Sequence, residues 1–217
     1  MRTVISLCDL TGNMVKPWIE AGYDAILVDP QHGEDSSDGS TLRIADTIDG
    51  VMEGLGKVIR SGDVAMIFGF PPCTDMAVSG ARWFRAKYEA DKLFQAKAVM
   101  VAEQCRTIGR LSGAPYMVEN PVSVLASAFG KPQHTFHPAD YTAYEPGDNY
   151  TKKTCLWTGG GFIMPQPSKD PSLGAPDNRI HFASPGPERA NFRSATPMGF
   201  ARAVFEANHS GLLEVAA

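Results

Sequence analysis

The chain has 217 residues, of which 43% are hydrophobic and 20% are charged, a composition typical of a globular protein with a substantial core. No apolar run approaches the roughly 20 residues that a membrane-spanning helix requires, which excludes a protein of that class. The net charge of −4 argues against a protein that depends on non-specific affinity for nucleic acid. The length favours one domain over residues 1–217.

The cysteines and the start of the chain predict a cellular environment. No Cys-x-x-Cys pair occurs, and the first residues lack the charged-then-apolar pattern of a secretory signal. We therefore expect a reducing cytoplasm, no disulfide framework and no metal site. The four cysteines are Cys8, Cys73, Cys105 and Cys155.

Apolar runs bounded by turn residues predict alternating strands and helices. The first half is predicted, in chain order, as a strand at Thr3–Leu7, a turn at 9–13, a helix at 15–21, a strand at 25–28, a loop at 32–40, helix or irregular structure at 44–55, and a strand at 64–70. The second half is predicted as a long helix at 88–111, a strand at 115–118, a helix at 122–129, a largely irregular region at 130–193 with one strand at 154–157, and a closing helix at 197–208.

Continuous apolar strands separated by helices predict an α/β fold with a doubly wound, mostly parallel sheet. Ligands of such sheets bind at the carboxyl ends of the strands. Four polar or reactive side chains directly follow strand-like runs: Asp9, Asp29, Cys73 and Glu119. Either they converge on one ligand-binding edge, or they follow strands only because turns are polar.

A double proline precedes Cys73, in the segment Gly69-Phe70-Pro71-Pro72-Cys73-Thr74. This places the thiol on a rigid turn after a strand, where a nucleophile is accessible. The alternative is a buried cysteine that acts as a small apolar residue.

Glu119, Asn120 and Pro121 follow another strand-like run. A glutamate with a raised pKa stays protonated and donates a hydrogen bond to a ring nitrogen. The residues also suit a helix start, with Asn120 as the cap and Pro121 in the first turn, and the two interpretations are compatible.

These segments resemble the motifs of the cytosine-C5 DNA methyltransferases. The resemblance is closest to short methyltransferase-like proteins of phages, which lack a full target-recognition domain. The similar segments are Asp9-Leu10-Thr11-Gly12, Ala21-Gly22-Tyr23, Val28-Asp29, Phe70-Pro71-Pro72-Cys73 with Ser79-Gly80, Glu119-Asn120-Pro121, Thr151-Lys152-Lys153-Thr154-Cys155 and Arg193-Ser194-Ala195-Thr196-Pro197.

The resemblance implies a Rossmann-like methyltransferase fold, S-adenosylmethionine as cofactor, and DNA as substrate. Cys73 would add to carbon 6 of cytosine while Glu119 holds the ring at N3, and Asn120 and Lys153 complete the catalytic set. Base extrusion from the stack would give access to the ring. The implied cofactor-binding residues are Asp9, Leu10, Thr11, Gly12, Asp29, Pro71, Ser194 and Thr196. The implied substrate-binding residues are Ser79, Arg82, Arg85 and Lys152.

The sequence departs from the family pattern in three places. The first turn has the single glycine Gly12, and the later basic motif is reduced to the segment 151–155. Only residues 156–192 lie between that motif and the last one, which leaves no room for a target-recognition domain.

Two further motifs allow two interpretations each. His134 and His137 have the spacing of metal ligands, although loop histidines are common and no acidic partner pattern accompanies them. Trp83 and Phe84, flanked by Arg82 and Arg85, suit either a base-stacking surface or a helix that packs its aromatic residues inward. The basic segment 82–110 similarly suits a DNA-facing surface or a solvated helix.

Three functions remain open. The first is methyl transfer to cytosine carbon 5 in DNA, and the second is the same chemistry on a deoxycytidine nucleotide. The third is a cofactor-binding, DNA-associated accessory protein without catalysis. The pairing of Cys73 with Glu119 favours an enzyme, and the short recognition region favours an accessory protein.

Overall fold

The computed structural model describes residues 2–180, 182 and 189–209. The strands of its sheet are β1 Thr3–Leu7, β2 Asp24–Val28, β3 Ser36–Asp38, β4 Thr41–Ile44, β5 Val64–Gly69, β6 Tyr116–Pro121, β7 His134–Phe136 and β8 Thr154–Gly159. The helices are α1 Lys16–Glu20, α2 Ile48–Ser61, α3 Phe84–Ala90, α4 Phe94–Ser112, α5 Leu125–Phe129, α6 Arg189–Ser194 and α7 Met198–His209.

The strand order of the sheet is β3-β4-β2-β1-β5-β6-β8-β7, which confirms the predicted doubly wound α/β fold. The five central strands from β4 to β6 run parallel, whereas β3, at one edge, and β8 run antiparallel to their neighbours. From β1 the chain builds outward through β2 and β4, and then returns to β5 on the other side of β1. Open α/β sheets bind ligands where the order reverses in this way, at the carboxyl ends of β1 and β5.

Alternate residues of each strand supply two separate cores, one on each face of the sheet. Val4 packs in the layer that contains α1 and α7, and its neighbour Ile5 packs in the layer that contains α2, α4 and α5. Trp18 of α1 is fully buried, and burial of one such side chain contributes about 1.5–3 kcal/mol. The sheet is therefore covered on both faces, and its strand ends remain for a site.

The predicted loop at 32–40 and the predicted helix at 44–55 are wrong in part. The loop contains the exposed strand β3, and Ile44 ends the short strand β4. Helix α2 begins only after Thr47, whose side chain accepts a hydrogen bond from the backbone N–H of Gly50 at 3.3 Å. Strands of three and four residues are too short to establish an alternating pattern in the sequence.

The long helix predicted at 88–111 is two helices, α3 and α4. Asp91 separates them, because its carboxylate accepts a hydrogen bond from the backbone N–H of Leu93 at 2.9 Å. Such a local bond competes with the helical pattern, so the chain turns although the hydrophobic periodicity continues.

The region 130–193 is more regular than predicted, since it contains β7, all of β8 and the start of α6. Its residues 181 and 183–188 lie outside the described part of the chain. Among the described residues, no helix has the length and apolar character needed to cross a membrane.

Candidate active site

Strand β5 delivers Cys73 to the carboxyl edge of the sheet. The backbone N–H of Phe70 donates to the carbonyl of Leu7 at 2.9 Å, which is the last bond between β5 and β1. Pro71 and Pro72 have no N–H to continue the ladder, so the strand ends there. The chain turns, and Cys73 lies at the start of the turn.

The Cys73 loop is held from both sides. The carbonyl of Cys73 accepts hydrogen bonds from the backbone N–H groups of Met76 at 2.9 Å and Ala77 at 2.8 Å, and the Met76 side chain is fully buried. Asn120 Nδ2 donates to the carbonyl of Pro71 at 3.0 Å. These contacts fix the backbone that carries the thiol, so Asn120 acts as a positioning residue.

Strand β6 directs Glu119 and Asn120 to opposite faces of the sheet, as its alternation requires. Glu119 shares the face of Met117, in the layer of α7, and lines a narrow cleft there. The enclosed part of this cleft has a volume of about 10 Å³, room for about one water molecule. A pyrimidine ring is larger, so it enters only when the cleft widens.

Residues from five parts of the chain line this cleft. The Phe136 and Phe200 rings stack in its wall with centroids 3.8 Å apart and planes at 19°. Both side chains are buried, and the stack forms an apolar wall of the cleft. The lining residues are Phe70, Glu119, Phe136, Lys152, Thr154, Ser194, Thr196, Pro197 and Phe200.

The segment between α6 and α7 returns to the carboxyl edge of the sheet. Asn13 Nδ2, in the loop after β1, donates to the carbonyl of Thr196 at 3.1 Å. Lys152 Nζ donates to the carbonyl of Ala195 at 3.4 Å. The closing motif therefore contacts both the first loop and the strand that carries the basic motif.

The charged groups around Cys73 have opposing effects on the pKa of its thiol. Burial raises the pKa of the Cys73 thiol, and the Glu119 carboxyl raises it further, while Lys152 and Arg193 lower it. Burial also raises the pKa of Glu119, against the opposing effect of Lys152. A protonated Glu119 has a proton to donate, and its Oε1 is buried with no hydrogen-bond partner among the described residues.

The two lysines of the basic motif lie in different environments. Lys152 is partly buried in the cleft with Glu119 and Thr154. Lys153 is exposed, and its charge acts on Cys155, on the opposite face of β8. The structure thus brings Lys152 to the predicted catalytic pair and leaves Lys153 away from the cleft.

Asp9 shapes the turn after β1. Its Oδ2 accepts a hydrogen bond from Ser6 Oγ at 2.7 Å, and its Oδ1 accepts bonds from the backbone N–H groups of Thr11 at 3.1 Å and Gly12 at 2.8 Å. Gly12 has a φ of +66°, and a Cβ there would lie 2.7 Å from Leu27 Cδ2. The turn therefore requires glycine at this position. The predicted Leu10 lies in the same turn and is partly exposed.

Asp29 is buried at the carboxyl end of β2, beside the β1 turn. Its Oδ1 accepts a hydrogen bond from the backbone N–H of Gln31 at 2.8 Å. No bond to Oδ2 occurs among the described residues, so this oxygen is available to a ligand.

The predicted substrate-binding residues Ser79, Arg82 and Arg85 are exposed on the segment that follows the Cys73 loop. Trp83 is 56% exposed, and the Arg82 guanidinium lies 5.1 Å from the centre of its ring. Phe84 instead packs against Phe94, with ring centroids 5.8 Å apart. The base-stacking interpretation therefore fits Trp83, and inward packing fits Phe84.

The structure also brings residues to the site that the sequence motifs did not assign. Arg193 lies within electrostatic reach of Cys73, and Thr154 and three phenylalanines line the cleft. Arg193 was part of the closing motif, but nothing in its neighbours indicated proximity to the thiol. Among the described residues, no cluster of three or more His, Cys, Asp or Glu side chains suits a metal ion. His137 begins a turn in which its backbone N–H donates to Asp140 Oδ2 at 2.7 Å.

Comparison with models of known protein families gives no match, and no curated protein matches the chain at a significant level.

Proposed function

We propose that this protein transfers a methyl group from S-adenosylmethionine to carbon 5 of cytosine in DNA, through a covalent bond between Cys73 and carbon 6. The observation that carries the proposal is that the loop of Cys73 after β5 and the segment of Glu119 on β6 are joined by the bond from Asn120 to the Pro71 carbonyl, and that Glu119 acts electrostatically on Cys73. Two such groups suit a reaction that adds a nucleophile and protonates a ring nitrogen.

The residues of the chain supply the covalent steps. The Cys73 thiol loses its proton to solvent, its sulfur forms a bond to carbon 6, and the electron pair of the 5,6 double bond moves towards carbon 5 and the ring. Glu119 donates its proton at N3, which neutralises the charge that develops there. After the transfer, carbon 5 loses its proton to solvent water, and the freed electron pair re-forms the 5,6 double bond. The bond between sulfur and carbon 6 breaks with its electron pair on sulfur, and Glu119 recovers its proton from N3.

The residues at the ends of β1 and β2 fit S-adenosylmethionine. Asp29 has a buried carboxylate with one oxygen available, which suits the ribose hydroxyls of a nucleoside. The turn at Asp9 and Gly12 lies between Asp29 and the Cys73 loop in the sheet order. When bound, the cofactor supplies an electrophilic methyl group to carbon 5.

The exposed segment after the Cys73 loop supports DNA as the substrate. Arg82, Trp83 and Arg85 combine positive charge with an exposed aromatic face, a combination that binds single-stranded nucleic acid. Lys87 ties this segment to the nucleophile loop, because its Nζ donates to the carbonyl of Thr74 at 2.9 Å and pairs with Asp75. A strand held on this surface lies next to Cys73.

Mass spectrometry of nucleosides from DNA incubated with the protein and S-adenosylmethionine tests the proposal. We expect 5-methylcytosine with the wild type and none with Cys73→Ser. The matched control is Cys155→Ser, since Cys155 faces away from the cleft. Equal product from the wild type and Cys73→Ser would contradict the assignment, and absence of product from every DNA would favour an accessory protein.

The second candidate is the same chemistry on a deoxycytidine nucleotide. The net charge of −4 favours it, because an acidic protein gains little from general attraction to the phosphates of a long nucleic acid. Incubation of the protein with deoxycytidine monophosphate, single-stranded DNA and duplex DNA in parallel separates the candidates. A methylated nucleotide without methylated DNA would favour this second function.

A further inference from the structure

Two cations act on Cys73, and the proposed function assigns a step to neither of them. Glu119 on β6, Lys152 in the segment before β8 and Arg193 on α6 each act electrostatically on the thiol. These three side chains are the charged groups that act on Cys73 within the described residues. Glu119 is the single anion among them, so the balance of charge at the thiol depends on the two cations.

Lys152 and Arg193 differ in what else they bind. Lys152 Nζ is engaged by the Ala195 carbonyl, and its charge also acts on Glu119. Arg193 forms no ion pair among the described residues, and its Nε is buried without a hydrogen-bond acceptor there. A buried donor without an acceptor is rare in proteins, and no anion among the described residues neutralises the Arg193 guanidinium.

The position of Arg193 is set by contacts on both sides of it. Ser194 and Thr196 line the cleft with Glu119, and the carbonyls of Ala195 and Thr196 accept bonds from Lys152 and Asn13. Ser194 Oγ also donates to the carbonyl of Asn191 at 3.1 Å, within the last turn of α6. The backbone that carries the guanidinium is therefore held against the site.

We propose that Arg193 stabilises the Cys73 thiolate and so activates the nucleophile. Arg193 is then a positioning residue that acts through Cys73. Arginine suits this role because its guanidinium stays protonated over the whole range in which a thiol titrates. When the thiol ionises, its proton passes to solvent, and the negative charge on sulfur faces a permanent positive charge in a buried site. This inference rests on Cys73 as the nucleophile of the proposed function.

Alkylation of Cys73 by iodoacetamide between pH 6 and 10, without cofactor or DNA, tests the inference. The adduct is quantified by mass spectrometry of the peptide that contains Cys73, because the thiolate is the reacting form. For Arg193→Gln we expect the midpoint of the rate profile to rise by roughly one pH unit, with about tenfold slower alkylation at pH 7.5. Arg193→Lys keeps the charge and is expected to stay within about threefold of the wild type.

The control is Arg202→Gln on α7, because Arg202 pairs with Glu145 at 3.2 Å and has no electrostatic effect on Cys73. If Arg193→Gln unfolds, as judged by circular dichroism, Arg193→Met replaces it, since it keeps the apolar part of the side chain. The inference would be overturned if the midpoint of the rate profile is unchanged in Arg193→Gln. It would also be overturned if Arg193→Lys shifts the midpoint as much as Arg193→Gln does. The assay contains no cofactor or DNA, so it measures the effect of Arg193 on Cys73 even if the protein transfers no methyl group. Failure of methyl transfer would count only against the proposed function.

Discussion

Asn120 and Pro71 join two neighbouring strands at the site, through a hydrogen bond of 3.0 Å from Asn120 Nδ2 to the Pro71 carbonyl. Asn120 is fully buried and follows Glu119 directly, and Pro71 precedes Cys73 by two residues. One bond thus fixes the spacing between the two segments that carry the nucleophile and the acid.

Asn120→Ala should lower both stability and methyl transfer. The substitution leaves the Pro71 carbonyl buried without its donor, which costs about 1–3 kcal/mol in the free energy of unfolding. Urea unfolding and turnover measure the two effects. Asn149→Ala is the matched control, because Asn149 Nδ2 also donates to a carbonyl, that of Gly174 at 3.1 Å, outside the cleft. Equal transfer rates for the two variants would contradict the positioning role.

A DNA strand containing 5-fluorocytosine should trap a covalent adduct with Cys73. Fluorine at carbon 5 replaces the proton that must leave, so the bond between sulfur and carbon 6 persists. Intact mass spectrometry is expected to show the protein plus the methylated strand, and digestion should place the adduct on the Cys73 peptide. An adduct on Cys8 instead would refute the nucleophile assignment, and Cys73→Ser should form none.

Asp29→Ala should weaken binding of S-adenosylmethionine by about 1–3 kcal/mol, because the ribose hydroxyls lose a charged acceptor. Asp29→Asn removes the charge but keeps an oxygen that accepts a hydrogen bond from the Gln31 N–H. It therefore distinguishes the effect of the lost charge from the effect of a disrupted turn. Isothermal titration calorimetry measures both variants. Asp38→Asn, on the exposed strand β3, is the control. An unchanged affinity of Asp29→Ala would remove Asp29 from the cofactor site.

Glu119→Gln should stabilise the protein at high pH more than at low pH. Burial raises the pKa of Glu119, so the folded state binds more protons than the unfolded state above the ordinary carboxyl pKa of about 4.3. The free energy of unfolding of the wild type therefore falls as the pH rises from the ordinary carboxyl pKa through the raised pKa of Glu119. The glutamine variant has no carboxyl group at this position and does not lose stability in this way.

Thermal unfolding of Glu119→Gln and the wild type between pH 4 and pH 8 measures this difference, which should shrink towards pH 4. Glu53→Gln is the control, since Glu53 is exposed in an ion pair with Lys57. A difference in melting temperature that stays constant with pH would contradict a raised pKa for Glu119.

Trp83→Ala should weaken binding of single-stranded DNA by about 1–3 kcal/mol, the range for loss of one stacked base. Trp83→Phe keeps an aromatic face and should retain most of the affinity. Fluorescence anisotropy at several salt concentrations measures both variants. If binding depends on two to four phosphate contacts, the slope of log affinity against log salt for a single strand lies between about −1.4 and −2.8. Equal affinity for the alanine variant and the wild type would show that Trp83 lies outside the DNA surface.

The sequence by itself determined the fold class of this protein, because its central strands are continuous apolar runs, as in a sheet that is buried on both faces. It also placed Asp9, Asp29 and Cys73 after strands, since prolines and turn residues mark where those strands end. The strand predicted to end at Val118 instead continues to Pro121, so Glu119 lies within β6, where pairing with β8 extends the strand. The short strands β3, β4 and β7 were not predicted, because three or four residues carry no readable period.

Only the tertiary structure decided which side chains meet. Lys152, and not Lys153, lines the cleft, and this depends on the extended segment that leads into β8 and on the register of β8 against β6. Arg193 acts electrostatically on Cys73 from a helix distant in the chain, and the contacts of Ala195 and Thr196 hold the neighbouring segment at the site. Proximity of this kind comes from packing between elements, and no local pattern in a single sequence records it.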